Sequence, residues 1–445
     1  MLYLTSSLAL EKRIFRGDEF NVLGHPVDRP RAGVDDEVGL NATNVDGRPE
    51  DDGMLRRAFG VSIGWLGISM VADGLPALLL PHQLLADGNR DATTLGLITL
   101  VAIGIAALLQ PVAGWVSDRT GRYVVIAAGT VIAVIGLALL LAPGRAVAGT
   151  IVALGGVSIA QAGQQALLPD RVRSDWRGRA GGLKSAFDVA GAFAGFLFLG
   201  ALLGRGQSAL AAGALGVALV AGAVLTRVLT GGAAQAALPR EHRAHAGSAA
   251  FVRLIAARFL FLLGIYAVGR FLLLFIADRF RLGADAASGE AGLVLALLAL
   301  VTIVASVPSG WLADRIGRRP LMVGGGVVGA LGIALLPIAG SMESVLAFGA
   351  LMALGSAAFG SASWAMLADF VPSARAGRLM GAANLGTAGA AAAAGLFGYL
   401  VDAAGFGPAF AAAAAMSLAG GAVAWTLGDR PRQSRLLIDS TEGAH

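Results

Sequence analysis

The chain has 445 residues, 56% of them hydrophobic and only 14% charged, and its mean hydropathy is +0.72. A soluble domain carries about 25% charged residues, so a water-soluble enzyme is excluded and a chain embedded in lipid remains. The net charge of +5 does not indicate nucleic acid, because the 34 basic residues recur in short loops between apolar runs instead of gathering on one segment.

Residues 1–53 are polar, hold acidic clusters such as Asp35-Asp36-Glu37 and contain no apolar run of helical length, so they are expected to be a disordered N-terminal extension. Apolar segments then follow near 58–80, 93–116, 123–142, 147–168, 180–203 and 208–229. A second set lies near 255–277, 291–312, 321–339, 345–368, 379–400 and 407–427. Each is long enough to cross a hydrocarbon core of about 30 Å, and in lipid the backbone must satisfy itself, so the spans are helices. A β-barrel would need alternating segments of about half this length. The fold class expected is therefore all-α integral membrane, with twelve transmembrane helices. With both termini cytoplasmic, the internal inner loops carry fourteen arginines and the outer loops five, which orients the chain.

The two halves repeat. Gly114-Trp115-Val116-Ser117-Asp118-Arg119-Thr120-Gly121-Arg122 is echoed 196 residues later by Gly310-Trp311-Leu312-Ala313-Asp314-Arg315-Ile316-Gly317-Arg318, with Arg319 following. Asp170, Gly178, Arg179 and Gly182 are echoed 199 residues later by Asp369, Gly377, Arg378 and Gly381. Both echoes fall in inner loops, so these are parallel repeats of six helices. The expected organisation is an N-terminal six-helix bundle over 54–230, a cytoplasmic linker over 231–253, a C-terminal bundle over 254–428 and a cytoplasmic tail over 429–445.

The doubled Gly-x-x-x-Asp-Arg-x-Gly-Arg loop resembles the signature loop of the major facilitator superfamily, and the resemblance covers roughly residues 56–430. It implies the major facilitator fold: secondary transporters whose two bundles rock about a central cavity. Gly114 and Gly310 would let a neighbouring helix approach, and Gly121 and Gly317 would permit the tight turn. The resemblance places Asp118 against the start of helix 11 near Gly377-Arg378, and by the repeat Asp314 against the start of helix 5 near Gly178-Arg179. Gln165 to Val172 and Trp364 to Pro372 are similar to bacterial relatives of the sugar–cation symporter branch, although the first loop lacks that branch's longer basic insertion. The Gly-Pro-x-x-Gly-Gly run of drug–proton antiporters is absent from span 5.

A charge at mid-bilayer costs about 2.5–3.5 kcal/mol on insertion scales, so ionisable residues inside spans mark function. They are Asp73 in span 1, Lys184 and Asp188 in span 5, and Arg258 and Arg270 in span 7; no Glu or His is expected in a span. Lys184 and Asp188 are spaced to pair on one helix face, and Arg258, in the first turn of its span, is expected to snorkel to the inner interface. Aligning Leu66-Gly67-Ile68 with Leu263-Gly264-Ile265 sets Asp73 opposite Arg270, each six residues after the glycine. These two are the leading coupling residues, with Asp188 and Lys184 next. Gln161, Gln164 and Gln165 are either cavity-lining amides or interhelical glue. Asn384 and Trp364 are further lining residues.

With no cysteine and no histidine in a span, no metal and no cofactor are expected. The function expected is secondary active transport of a small polar solute, a sugar or related metabolite by the resemblance, coupled to protons or another cation. The chain is expected to work as a monomer in the bacterial inner membrane. An exporter of drugs or metabolites is the alternative. A membrane enzyme would need clustered carboxylates or histidines at one interface, and a sensor an added signalling domain.

Overall fold

In the computed structural model, residues 48–173, 176–231, 249–370 and 376–427 are described, without the side chains of 48–52, 177–178, 368–370 and 376–383. The expected disorder before residue 48, the core of the linker and the tail lie outside them. The described residues hold twelve helices long and apolar enough to cross a membrane, and no strand. They are α1 (Gly53–Ala86), α2 (Ala92–Thr120), α3 (Arg122–Leu140), α4 (Ala146–Arg171), α5 (Arg179–Leu203) and α6 (Ser208–Thr230), then α7 (Ala249–Arg279), α8 (Ala284–Ile316), α9 (Arg318–Ile338), α10 (Met342–Leu367), α11 (Asn384–Ala404) and α12 (Phe406–Trp425).

Three helices are longer than the apolar runs. The helix that carries α1 begins at Arg48, inside the segment expected to be disordered, and continues to Ala86, past Pro76 and Pro81. Those prolines do not end it. Proline lacks the N–H that an α-turn needs, and the chain absorbs the first by a π-helical stretch at Leu75–Leu79, entirely buried. α7 begins at Ala249, so Arg258 is not in its first turn, and α8 begins at Ala284, so it takes in Asp285 and Glu290.

Short connections reverse the chain, so the loops alternate between two faces. The α2–α3 and α8–α9 loops share one, here the signature-loop face; the α1–α2, α7–α8 and α11–α12 loops share the opposite face. Gly121 (φ 100°) and Gly317 (φ 96°) make the two signature turns in a conformation that a Cβ would strain. In each, an arginine lies over the tryptophan four residues earlier: Arg119 on Trp115 and Arg315 on Trp311, both 3.5 Å from the ring centre.

Lipid offers no hydrophobic drive between helices, so close packing holds them together, and small residues make it possible. Gly129 and Gly156 bring α3 and α4 into backbone contact; their repeat equivalents Gly325 and Gly355 do the same for α9 and α10. Gly67 lies on the backbone of Ala218 in α6, and Gly264 on that of Ala413 in α12. The glycines used to align spans 1 and 7 thus occupy equivalent contacts in the two halves.

Candidate functional site

Six residues beyond Gly67 and Gly264, the repeat carries Asp73 and Arg270 toward each other across the two halves. Asp73 is half-buried, two residues before the π-helical stretch of α1, and lies within electrostatic reach of Arg270 and Asp188. Arg270 is only 6% exposed. No ion pair of 4.0 Å or less joins the two side chains. Among the described residues the Arg270 guanidinium reaches one acceptor, the Ala391 carbonyl of α11, at 3.5 Å, and its buried Nε and Nη1 have no partner. Three of its five N–H donors are therefore unspent. An uncompensated buried donor costs about 1–3 kcal/mol, so this arginine is set for an acceptor that the chain's own side chains do not supply here. Tyr266, one turn before it on α7, shares the field of Asp73, Asp188 and Arg258.

The Lys184–Asp188 pair forms as expected, at 3.1 Å. It also ties α5 to α1: Ser69 donates to Asp188, and the Lys184 ammonium lies 3.7 Å from the centre of the Trp65 ring. Gln164 is buried, and its amide donates to the Val61 carbonyl (2.9 Å) and to Thr226 Oγ1 (3.1 Å), joining α4 to α1 and α6. That is interhelical glue. Gln161 and Gln165 are half-buried with no hydrogen bond among the described residues, as is Asn384, two turns into a helix that begins at Ala376. Arg258 does not snorkel. It is 5% exposed, donates to Ser363 Oγ at 2.6 Å, and lies over Trp364, which is itself 45% exposed.

At the signature-loop face, Arg122 donates to Asp118 and, at 2.8 Å, to Asp170, so the ends of α2 and α4 are tied to the start of α3. Arg318 donates to the Ala365 carbonyl of α10 at 2.8 Å, and Arg319 lies over Trp425. Arg179 lies over Trp176. Asp369, Gly377 and Arg378 lie outside the described side chains, and with them the expected partner of Asp118. Asp314 is exposed, without a hydrogen bond or ion pair among the described residues. Gly114 and Gly310 were expected to admit a close neighbour; a methyl added at either would meet nothing within 4 Å among the described residues.

The opposite face is packed. Gly96 of α2 lies on the backbone of Gly395 in α11, Gly398 on that of Ala92, and Gly200 of α5 on that of Gly292 in α8. His82, read from the sequence as lying outside the spans, is 3% exposed in α1 and its Nδ1 lies 2.9 Å from Ser288 Oγ of α8. The apolar run read as span 1 stops at residue 80, while the helix continues to Ala86. Asp402 of α11 accepts from the backbone N–H groups of Ala92 and Thr93, the start of α2. The two halves are thus fastened by side chains and by glycine contacts at this face.

The sequence matches the family model of the Major Facilitator Superfamily over residues 61–289 and 254–443, most of the chain. The chain belongs to that superfamily. It is 33% identical over 103 residues to the Escherichia coli (strain K12) inner membrane transport protein YajR, a match spanning 23% of this chain and 22% of that one. Among solved structures it is similar to a bacterial homolog of the human lysosomal transporter Spinster in an inward-facing and occupied conformation, with a TM-score of 0.61 at 16% identity, covering 85% of this chain and 94% of that one. It is also similar to the peptide transporter POT in complex with alafosfalin, with a TM-score of 0.64 at 15% identity, covering 83% and 94%. At such identities these structures speak for the fold. The superfamily member described here is a multi-pass membrane transporter with the twelve-helix major facilitator fold.

Proposed function

We propose that this transporter couples proton movement to the passage of a small polar solute by alternating access, as a monomer in a bacterial inner membrane. The signature-loop face is the cytoplasmic one, and the bundles of 54–230 and 254–428 rock about the site at Asp73 and Arg270. The observation that carries the reading is the buried Arg270 guanidinium with three unspent donors, across the halves from Asp73. A solute rich in acceptor oxygens, such as a sugar or a related metabolite, satisfies those donors. Asp73 takes up and releases the proton, and its charge alternately competes for and yields Arg270. Asp188 is engaged with Lys184 and Ser69, which leaves Asp73 the freer carboxylate. Gln161, Gln165, Asn384 and Trp364 line the solute's path. The arrangement described is read as the inward-facing one, supported by the glycine contacts that close the face opposite the signature loops.

The test is counterflow in proteoliposomes with a panel of labelled sugars and organic acids, chosen by thermal stabilisation of the purified protein. Exchange of a panel member that stabilises the protein is expected. Stabilisation without exchange would point to a sensor, and chemical conversion of the solute to an enzyme.

A further inference from the structure

The carboxylate of Asp402 does more than end a helix. The first four N–H groups of any α-helix lack intrahelical partners. In α2, Ala92 N–H and Thr93 N–H donate to Asp402, at 3.0 and 2.6 Å. Thr94 N–H donates to the Asp91 side chain, and the N–H of Asp91 itself donates to Asn89 Oδ1. One aspartate from each half therefore caps a single helix terminus, and half of that cap is lost whenever α11 leaves α2. Asp402 is exposed and borders a cavity of about 290 Å³ also lined by Arg90 and Asp278, so water can replace it when the contact opens.

The local geometry repeats that of the signature loops. Asp118, Asp314 and Asp402 each lie three residues before a glycine of positive φ: Gly121 (100°), Gly317 (96°) and Gly405 (84°). In every case the aspartate sits in the last turn of its helix. On α11 the stripe Gly395, Gly398 and Asp402 faces α2, so the glycines bring the backbones together and the carboxylate lies where it can reach the helix start.

We infer that Asp402 is an opposite-face latch that holds the inward-facing state, the counterpart on α11 of the role the signature loop gives Asp118 on α2. The inference rests on the alternating-access reading. The two helices then carry reciprocal carboxylates, one at each face. Both carboxylates, Asp91 and Asp402, sit at the α2 N-terminus, where the helix dipole favours negative charge.

The chain has no cysteine, so spin-label pairs can be introduced without background. Cysteines at Asp87 and Gly340, exposed on the opposite face in different halves, report its opening by pulsed electron resonance. Asp402→Ala is expected to raise the ratio of long to short distances roughly tenfold, equivalent to about 1.4 kcal/mol, within the usual worth of an N-cap. Asp402→Glu should restore the short distance, and adding Asp118→Ala to Asp402→Ala should bring the ratio back toward the wild type. If Asp402→Ala does not fold, Asp402→Asn, which keeps an acceptor but loses the charge, should shift the ratio the same way by less. Two populations whose ratio ignores residue 402 would overturn the latch. A single fixed distance in every variant, with or without a proton gradient, would instead overturn alternating access itself.

Discussion

Gly395→Ala perturbs the transporter where its two halves touch. In this state a methyl at Gly395 would overlap the carbonyl of Gly96, and it would come within 3.2 Å of Leu100 Cβ. The obstacle is helix backbone, which cannot rotate aside as a side chain can. Overpacking of this kind costs about 1–3 kcal/mol, and it falls only on the conformer in which α2 and α11 are in contact. The expected effect is a shift of roughly 5- to 150-fold toward the conformer open at this face. The substitution also removes a glycine from a helix, worth up to about 1 kcal/mol in both conformers. Overall thermal stability should therefore hold while the conformational equilibrium moves. Distances between labels at Asp87 and Gly340 read the equilibrium directly. Gly104→Ala is the control, because a methyl there meets nothing within 4 Å. Gly395→Ala with wild-type distances, or Gly104→Ala with the same shift, would refute the reasoning.

Three further outcomes are expected. Arg270→Gln should leave the melting temperature unchanged or raise it while abolishing transport, because no ion pair is broken in this state; a static buried pair would instead cost about 3–5 kcal/mol. Asp118→Ala should slow transport at normal membrane insertion, since Arg122 keeps Asp170 at 2.8 Å; unchanged transport and labelling would contradict this. Deleting residues 2–47 should leave transport intact, and loss of activity with normal insertion would contradict that.

Most of the fold was legible because lipid imposes one rule on every span. Apolar runs of about 20 residues had no other solution, and the limits of α2 to α6 fell close to those read from hydropathy. The rule fails where protein replaces lipid as the neighbour. The first turns of α8 contain Asp285, Ser288 and Glu290, polar residues that hydropathy excludes, yet Ser288 is fully buried against His82. The same holds for His82, because the apolar run stops at residue 80 when the helix in fact continues to Ala86. The site was half legible. The repeat register gave Asp73 and Arg270, since it needs only the two glycine contacts that both halves share. Tyr266 was within reach as the residue four before Arg270 on the same helix face. Gln164 could not be sorted from Gln161 and Gln165 by spacing, because its role depends on Val61 and Thr226 in other helices. Asp402 carried a signal in its aspartate three residues before a glycine, but no repeat in sequence pairs α11 with the start of α2.

The central claim is that Asp73 carries the coupled proton. Proteoliposomes holding the transporter, alkaline inside, can be incubated with a small-metabolite extract and their contents read by mass spectrometry. The wild type is expected to concentrate at least one polar solute above its external level, collapsing with the proton gradient. Asp73→Asn should bring the same solute to its external concentration and no further. If Asp73→Asn still concentrates that solute, Asp73 is not the coupling residue and the account fails at its centre.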